Sequence, residues 1–271
     1  MKKPIVFFLL ILLLKSEGYT ETLPHRPKAI VVGATSGMGR QLAKLLAKDY
    51  DIGLVSRRVS LLESLQAEIP TKSYIKQIDV AQHEQARQQL SELIIQIGGL
   101  DLMVIAISAT NDNDDDESFK AKQRTIDVDL VGFWVMAETT LAFFEQQKSG
   151  HLVGFSSTSG LRGDANCPTY SGAKAFISRY LEANRNRMIQ RKIPIDFTDI
   201  IPGWVEIEAI DVHKIPTAYW IATTQDAAQQ IYEAITAKKK KAYITKRWEL
   251  IAWLWNILPD CIYNADWWPL R

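Results

Sequence analysis

The chain has 271 residues, room for one large domain or two small ones at roughly 100–200 residues each, with length enough for a packed core. Thirty-two Lys and Arg against 31 Asp and Glu leave a formal charge of +1, without the basic excess of a nucleic-acid binder, and 47% hydrophobic residues exclude general disorder. The only cysteines, Cys167 and Cys261, form no CxxC and have no His at ligand spacing, so neither a disulfide framework nor a metal site is expected, and a reducing compartment fits.

Residues 1–23 run from basic Met1-Lys2-Lys3 through an apolar stretch, Ile5 to Leu14, into polar Lys15-Ser16-Glu17-Gly18. This has the outline of a secretory signal, yet the run falls short of the roughly 18 apolar residues of a membrane span, and no A-x-A cleavage pattern follows. Export, a retained interfacial anchor and a dispensable leader all stay open. From Lys28 onward, short β-branched runs alternate with longer amphipathic ones, the pattern of βαβ units and a parallel sheet. Residues 24–246 carry this alternation with no repeat and no linker that would divide it.

The first strand, Ala29 to Val32, leads into Gly33-Ala34-Thr35-Ser36-Gly37-Met38-Gly39 and a helix from Gly37 to Lys48. Glycines at this spacing allow a tight exit from the strand, close approach of a pyrophosphate to the backbone, and close packing of helix on strand. The anion would rest on the free N–H groups at the positive end of the helix. The second strand, Ile52 to Ser56, ends in Arg57-Arg58 where an acid would read the ribose of NAD. Two guanidiniums suit a 2′-phosphate instead, so NADP(H) is expected, with NAD(H) as the alternative. After a helix from Leu61 to Ile69 and a third strand, Ser73 to Ile78, Asp79 is placed to accept from an adenine amino group or to cap the next helix, Glu84 to Ile97.

A fourth strand, Leu100 to Ile107, is followed by the acidic run Asp112 to Glu117, which reads as a solvated loop at the end of the sheet where ligands bind. One long helix is expected over Lys122 to Gln147. The fifth strand, His151 to Ser156, leads to Ser157, and thirteen residues later Tyr170-Ser171-Gly172-Ala173-Lys174 opens a helix from Pro168 to Arg191. Tyr170 and Lys174 share one helix face. An ammonium there stabilises a phenolate, which suits Tyr170 to exchange a proton with an alcohol oxygen while Ser157 holds that oxygen by a hydrogen bond.

A sixth strand, Ile195 to Ile201, precedes Pro202-Gly203-Trp204-Val205. The bulky Trp204, Ile207, Ile210, Ile215, Tyr219 and Trp220 after it either cover an apolar substrate or pack a short lid. A helix from Gln225 to Thr236, the lysines Lys238 to Lys241 and a seventh strand, Ala242 to Thr245, complete the alternation. Residues 247–271 form a Trp-rich helical tail. It would either lie on a membrane surface or pack on the domain through Leu250, Ile251, Leu254 and Ile257, and Pro259 should end its helix.

GATSGMG, Ser157 with Tyr170 and Lys174, and Ile201-Pro202-Gly203, in this order, resemble the short-chain dehydrogenase/reductase family over about Lys28 to Thr245. The resemblance implies a single α/β domain of Rossmann type, doubly wound, with a seven-stranded parallel sheet flanked by helices, and a homodimer or homotetramer built through the long helices. It implies an NAD(P)(H)-linked oxidoreductase acting on a carbonyl/alcohol pair. It also has Lys174 hold the nicotinamide ribose. With the readings above, the catalytic set becomes Ser157, Tyr170, Lys174 and Asp129. The cofactor set becomes Gly33, Thr35, Ser36, Gly37, Met38, Gly39, Ser56, Arg57, Arg58, Asp79, Val80, Ala106, Tyr170, Lys174, Pro202, Gly203 and Val205.

The chain departs from the family pattern in three places. Asp129 stands where the family has an Asn that feeds a water-linked proton relay, and an ionised acid cannot donate. The fourth strand ends Ile105-Ala106-Ile107-Ser108-Ala109-Thr110 where the family commonly shows an Asn-Ala-Gly turn, and Ile207 stands where the family often has a Thr that touches the cofactor. Asp129 and Ile207 support an alternative, a nucleotide-binding sensor or scaffold with little catalysis. Because free nicotinamide pools are intracellular, a cytoplasmic catalytic domain is expected, with membrane attachment through either end left open.

Overall fold

β-Branched runs form strands here because both of their faces are covered. In a computed structural model that describes residues 26–35, 37–109, 118–206 and 221–263, seven strands make one parallel sheet. They are β1 (Lys28–Val32), β2 (Asp51–Ser56), β3 (Ser73–Gln77), β4 (Leu102–Ile105), β5 (Gly150–Phe155), β6 (Ile195–Pro202) and β7 (Lys241–Ile244), in the order β3-β2-β1-β4-β5-β6-β7. The order reverses between β1 and β4, whose register runs Ala29–Leu102 to Val32–Ile105, and a ligand crevice is expected outside the carboxyl ends of those two strands.

Alternate residues along each strand feed two separate cores. Ile30, Val32, Met103, Ile105, Leu152 and Phe197 meet α3 (His83–Ile97), α5 (Phe133–Gln147) and α6 (Pro168–Arg191) on one face. Val31, Leu54, Val104, Val153 and Ile200 meet α1 (Gly37–Leu46), α2 (Val59–Glu68) and α7 (Thr224–Thr236) on the other. The expected strands and helices form, with ends shifted by at most three residues. The leader, Ser36, the acidic run, residues 207–220, and Trp267 and Trp268 lie outside the described residues.

The long helix is the main correction. It runs as α4 (Phe119–Thr125), then a π turn over Ile126–Gly132, then α5. The wider turn holds one residue more than the helical period allows, and such turns concentrate at functional sites. Val128, Asp129 and Gly132 are its buried residues.

The tail is corrected as well. Helix α8 (Trp248–Ile257) buries Trp248, Ile251, Ala252 and Trp255, an i, i+3, i+4, i+7 stripe, while Leu250 is 68%, Trp253 61% and Ile257 57% exposed. Of the four aliphatics expected to pack, Leu250 and Ile257 therefore face outward. Pro259 ends α8 as expected, and a single further turn, α9 (Asp260–Tyr263), follows. Strand β7 places Lys238 to Lys241 at the amino edge of the sheet, where Lys238 pairs with Asp196, and α8 at the carboxyl edge. The lysine run and the exposed apolar face thus belong to opposite ends of the sheet. Among the described residues no helix is long and apolar enough to cross a membrane.

His151, buried in β5, shares a hydrogen bond between Nε2 and Thr198 Oγ1 (2.8 Å). Burial pushes its pKa down from 6.5 to about 4, only partly offset by the Asp196 carboxylate. Below about pH 6.5 the unfolded chain binds a proton that the folded one refuses, so this site's contribution falls as pH drops toward 4, by on the order of 3 kcal/mol. Urea unfolding at pH 7 and pH 4.5 should show the stability advantage of the wild type over His151→Gln shrinking by roughly 2–3 kcal/mol. An unchanged difference would contradict a neutral, buried imidazole. Asp199, whose pKa burial raises, has the opposite sign over an overlapping window, but it is common to both proteins and cancels.

Candidate active site

The sequence-predicted residues converge on the carboxyl edge of the sheet, around the reversal of strand order. Gly33 leaves β1 at φ +88°, a left-handed backbone. A Cβ there would lie 2.2 Å from the Ala106 carbonyl oxygen, and one on Gly39 would lie 2.3 Å from the Gly33 oxygen. The loop therefore lies flush against the end of β4, which explains both glycines and the presence of Ala106 beside them. Gly37 also has positive φ, with open space above it, and Met38 packs on the second core. Ser36 is outside the described residues.

Thr35 Oγ1 and Ser56 Oγ are 2.7 Å apart, joining this loop to the end of β2. Arg58 reaches back across the gap, its Nη2 donating to Thr35 Oγ1 at 3.2 Å, and Arg57 and Arg58 are both exposed to solvent. After β3, Asp79 Oδ1 accepts from the Ala81 N–H at 3.1 Å, so it braces its own loop and does not cap α3. Val80 is buried against Gly132 of the π turn. A cavity of about 240 Å³ opens between the starts of α1 and α7, lined by Gly37, Arg40, Gln41, Glu206, Thr224 and Gln225. Val205 forms a parallel bridge with Ala222 beside it. The glycine cradle, the start of α1 and the two exposed guanidiniums fit a dinucleotide with an anionic diphosphate. Glu206 is the one acid on that wall among the described residues, and the sequence reading missed it.

Lys174 is 2% exposed and Asp129 fully buried. Lys174 Nζ lies 2.8 Å from Asp129 Oδ1 in a charge contact that lacks aligned hydrogen-bond geometry, and Oδ1 has no other partner. The ammonium also donates to the carbonyls of Ile107 (3.1 Å) and Phe155 (3.3 Å), past β4 and at the end of β5. The other carboxylate oxygen, Oδ2, accepts from the Ala109 N–H at 2.8 Å. Burial works to lower the ammonium pKa, but the Asp129 charge and Tyr170 outweigh it, and the net shift is upward. Lys174 Nζ stands 5.4 Å from the centre of the half-buried Tyr170 ring. Asp129 is thus an ion-pair partner of Lys174, sealed from solvent, rather than an exposed end of a water chain.

Ser157 Oγ accepts from the Ser159 N–H at 3.2 Å and opens the 3-10 turn Thr158–Gly160. Ser171 Oγ donates to the Ser159 carbonyl at 2.5 Å, tying that turn to the first turn of α6, beside Tyr170. Beneath it, Ser156 Oγ donates to Asp199 Oδ1 at 2.5 Å, and Ser178 Oγ donates to Oδ2. Burial raises the Asp199 pKa, and these two hydroxyls act against that rise. The Asp199 cluster has no signal in sequence, since Ser178 and Ser156 are 21 and 43 positions from Asp199.

The family model of short-chain dehydrogenases matches residues 27–214. The chain belongs to the short-chain dehydrogenase family. Among relatives, it is 33% identical over 191 residues to an uncharacterized oxidoreductase of Mycobacterium tuberculosis (strain CDC 1551 / Oshkosh), covering 68% of this chain and 75% of that one. It is 29% identical over 245 residues to an uncharacterized oxidoreductase of Myxococcus xanthus (strain DK1622), covering 88% and 94%. An alcohol dehydrogenase from the archaeon Thermococcus sibiricus, solved with 5-hydroxy-NADP, shares the fold with a TM-score of 0.67 at 18% identity, over 80% of this chain and 95% of that one. This short-chain dehydrogenase/reductase is an oxidoreductase with a nucleotide-binding Rossmann-type fold.

Removing one member of a buried pair leaves an uncompensated charge, at a loss of roughly 3–5 kcal/mol. Asp129→Ala should lose about that much stability in urea unfolding at pH 7, while Asp129→Asn, which keeps an acceptor for the Ala109 N–H, should lose less. Equal stability of Asp129→Ala and wild type would show that the pair does not hold the site together.

Proposed function

We propose that this short-chain dehydrogenase/reductase transfers a hydride between NADP(H) and an apolar carbonyl/alcohol substrate, with Ser157, Tyr170 and Lys174 as catalytic residues. The observation that carries the reading is the buried Lys174 ammonium beneath the Tyr170 ring, anchored at the carboxyl ends of β4 and β5 next to the glycine loop. A bound nicotinamide supplies or accepts the hydride. Gly37 leaves the backbone open to the diphosphate, Gly33 and Gly39 hold the loop flush against the end of β4, and the positive end of α1 attracts the anion. The paired guanidiniums of Arg57 and Arg58 suit a 2′-phosphate, with Thr35 and Ser56 on its inner side. In reduction, the Tyr170 hydroxyl passes its proton to the substrate oxygen while the Ser157 hydroxyl donates a hydrogen bond to the same atom, stabilising its developing charge. Lys174 holds the ribose and the phenol in place, and Asp129 fixes Lys174. The exposed indole of Trp204 beside the Pro202-Gly203 turn supports an apolar substrate.

The outward-facing Trp134 of α5 and Ile189 of α6 support a homodimer or homotetramer through the long helices. Leu250, Trp253 and Ile257 on α8 support contact with a membrane surface by a cytoplasmic protein.

Purified protein should oxidise NADPH in the presence of apolar ketones or aldehydes, and Tyr170→Phe should abolish this turnover while retaining NADPH binding. Full activity in Tyr170→Phe would overturn the assignment. NADPH binding without turnover of any carbonyl in a broad panel would favour the sensor or scaffold reading. Arg57→Ala/Arg58→Ala should raise KM for NADPH by on the order of tenfold or more and leave KM for NADH nearly unchanged, since each charge-assisted bond to the 2′-phosphate contributes about 1.5–3 kcal/mol. A parallel rise for both cofactors would remove the 2′-phosphate from this site.

A further inference from the structure

Ser157 and Tyr170 stand at the two ends of one connection: the 3-10 turn, then residues 161–167, then α6. Most of that connection has no regular structure of its own. From the α6 side, Ser171 Oγ holds it, donating to the Ser159 carbonyl (2.5 Å), lying 3.3 Å from the Arg162 carbonyl and accepting from the Asp164 N–H (3.3 Å). The Arg162 side chain adds a second hold, to the tail, from near the middle of the connection. Its Nη1 donates to the carbonyls of Trp255 (2.9 Å) and Leu258 (2.6 Å), its Nη2 donates to the Asp260 carboxylate, and the guanidinium stacks on Tyr263 with 4.2 Å to the ring centre. The Tyr263 hydroxyl returns a hydrogen bond to the Gly163 carbonyl at 3.2 Å. Asp260 is 92% exposed, so its ion pair holds little. The carbonyl bonds, at the negative end of α8, and the stacking carry the contact.

The opposite end of α8 bears on the other side of the site. Trp248, 1% exposed, lies so close to Gly203 that a Cβ there would come within 2.2 Å of the indole. Ring contacts continue from Trp204 edge-on to Trp248 (5.7 Å between ring centres), tilted to Trp255 (6.0 Å) and edge-on to Tyr263 (6.3 Å). This aromatic cluster is separate from the two cores that clamp the sheet. Of its members, Trp248, Trp255 and Tyr263 lie beyond the residues that the family model matches, and Trp204 lies within them.

We propose that residues 248–263 form a positioning clamp for the reaction. Through Arg162 they set the course of the connection that carries Ser157 and Tyr170, and through Trp248 they set the Pro202-Gly203 turn beside the cofactor. The proposal rests on the catalytic reading of Ser157, Tyr170 and Lys174 given above. Because the clamp has its own core, loosening it leaves the sheet folded, and its effect is on rate and affinity.

The test uses the full chain, with kcat and KM for a reducible carbonyl, NADPH affinity from quenching of tryptophan fluorescence, and amide hydrogen exchange. Arg162→Gln should lower kcat by on the order of tenfold or more, because small misplacements of reacting groups are expensive in rate, with NADPH affinity within about twofold of wild type. Arg162→Lys, which keeps the charge but loses the fork and the flat face, should recover only part of kcat. Trp248→Leu should weaken NADPH binding several-fold, and Trp248→Phe less so. Wild-type kcat in Arg162→Gln, despite faster exchange in 248–263, would overturn the proposal. So would a loss of activity matched by an equal loss of folded protein. Should the wild type reduce no carbonyl at all, the catalytic reading fails. The clamp is then decided by faster exchange at 157–167 in Arg162→Gln and weaker NADPH binding in Trp248→Leu, and wild-type values for both would end it.

Discussion

An ammonium and a carboxylate with almost no access to water cannot stand alone, and much of the geometry of this site follows from satisfying that pair. Each ion loses several kcal/mol of hydration on burial, a loss that only close partners offset. Lys174 finds them on three sides: the Asp129 charge, the Ile107 carbonyl and the Phe155 carbonyl. Asp129 in turn takes the Ala109 N–H. Helix α6, the π turn and the ends of β4 and β5 are therefore locked together at one point. The exposed end of that point is the Tyr170 ring. A helix free to slide or rotate would break these contacts together, so the burial of one lysine fixes the placement of the phenol one turn before it.

The sheet supplies the other half of the site. Reversal of strand order leaves a crevice between the exits of β1 and β4, and the Gly33–Ala106 contact brings the two exits together so closely that no side chain fits between them. The start of α1 is thereby held next to the end of β4, and two positive features face the crevice from different elements: the helix end and the arginines after β2. Glu206, before α7, faces the same cavity as Arg40 of α1, so both signs of charge line that end of the crevice.

The central strands were legible as short apolar runs bounded by turn residues, and most helices by their helical spacing and end signals. β1 and β4 are buried on both faces and read as unbroken aliphatic runs, and α6 opens with Pro168 at its first turn and closes in a left-handed Lys192. The π turn was not legible. It adds one residue inside an otherwise helical pattern, and what stabilises it, the Asp129–Lys174 pair, joins residues 45 positions apart. The same limit explains why Asp129 read as a defective relay residue while its ion pair stayed out of view. The tail was half legible. Its helix and its stop at Pro259 follow from local rules, but both aliphatics and tryptophans recur at helical spacing, and tertiary contacts decide which turn inward: Trp248 on Gly203, and Trp255 on Trp248 and Tyr263.

That dependence of the tail on one glycine also runs the other way. A residue larger than glycine at 203 would drive a carbon into the Trp248 ring, and a smaller residue at 248 would open a void beside the turn. The two positions share one volume, so substitutions at them should be strongly non-additive, the mark of residues in contact. The Pro202-Gly203 turn belongs to the segment matched by the family model, whereas Trp248 lies beyond it. The turn at the sheet edge thus lies within the matched segment, whereas the indole packed against it comes from a helix which that segment does not contain.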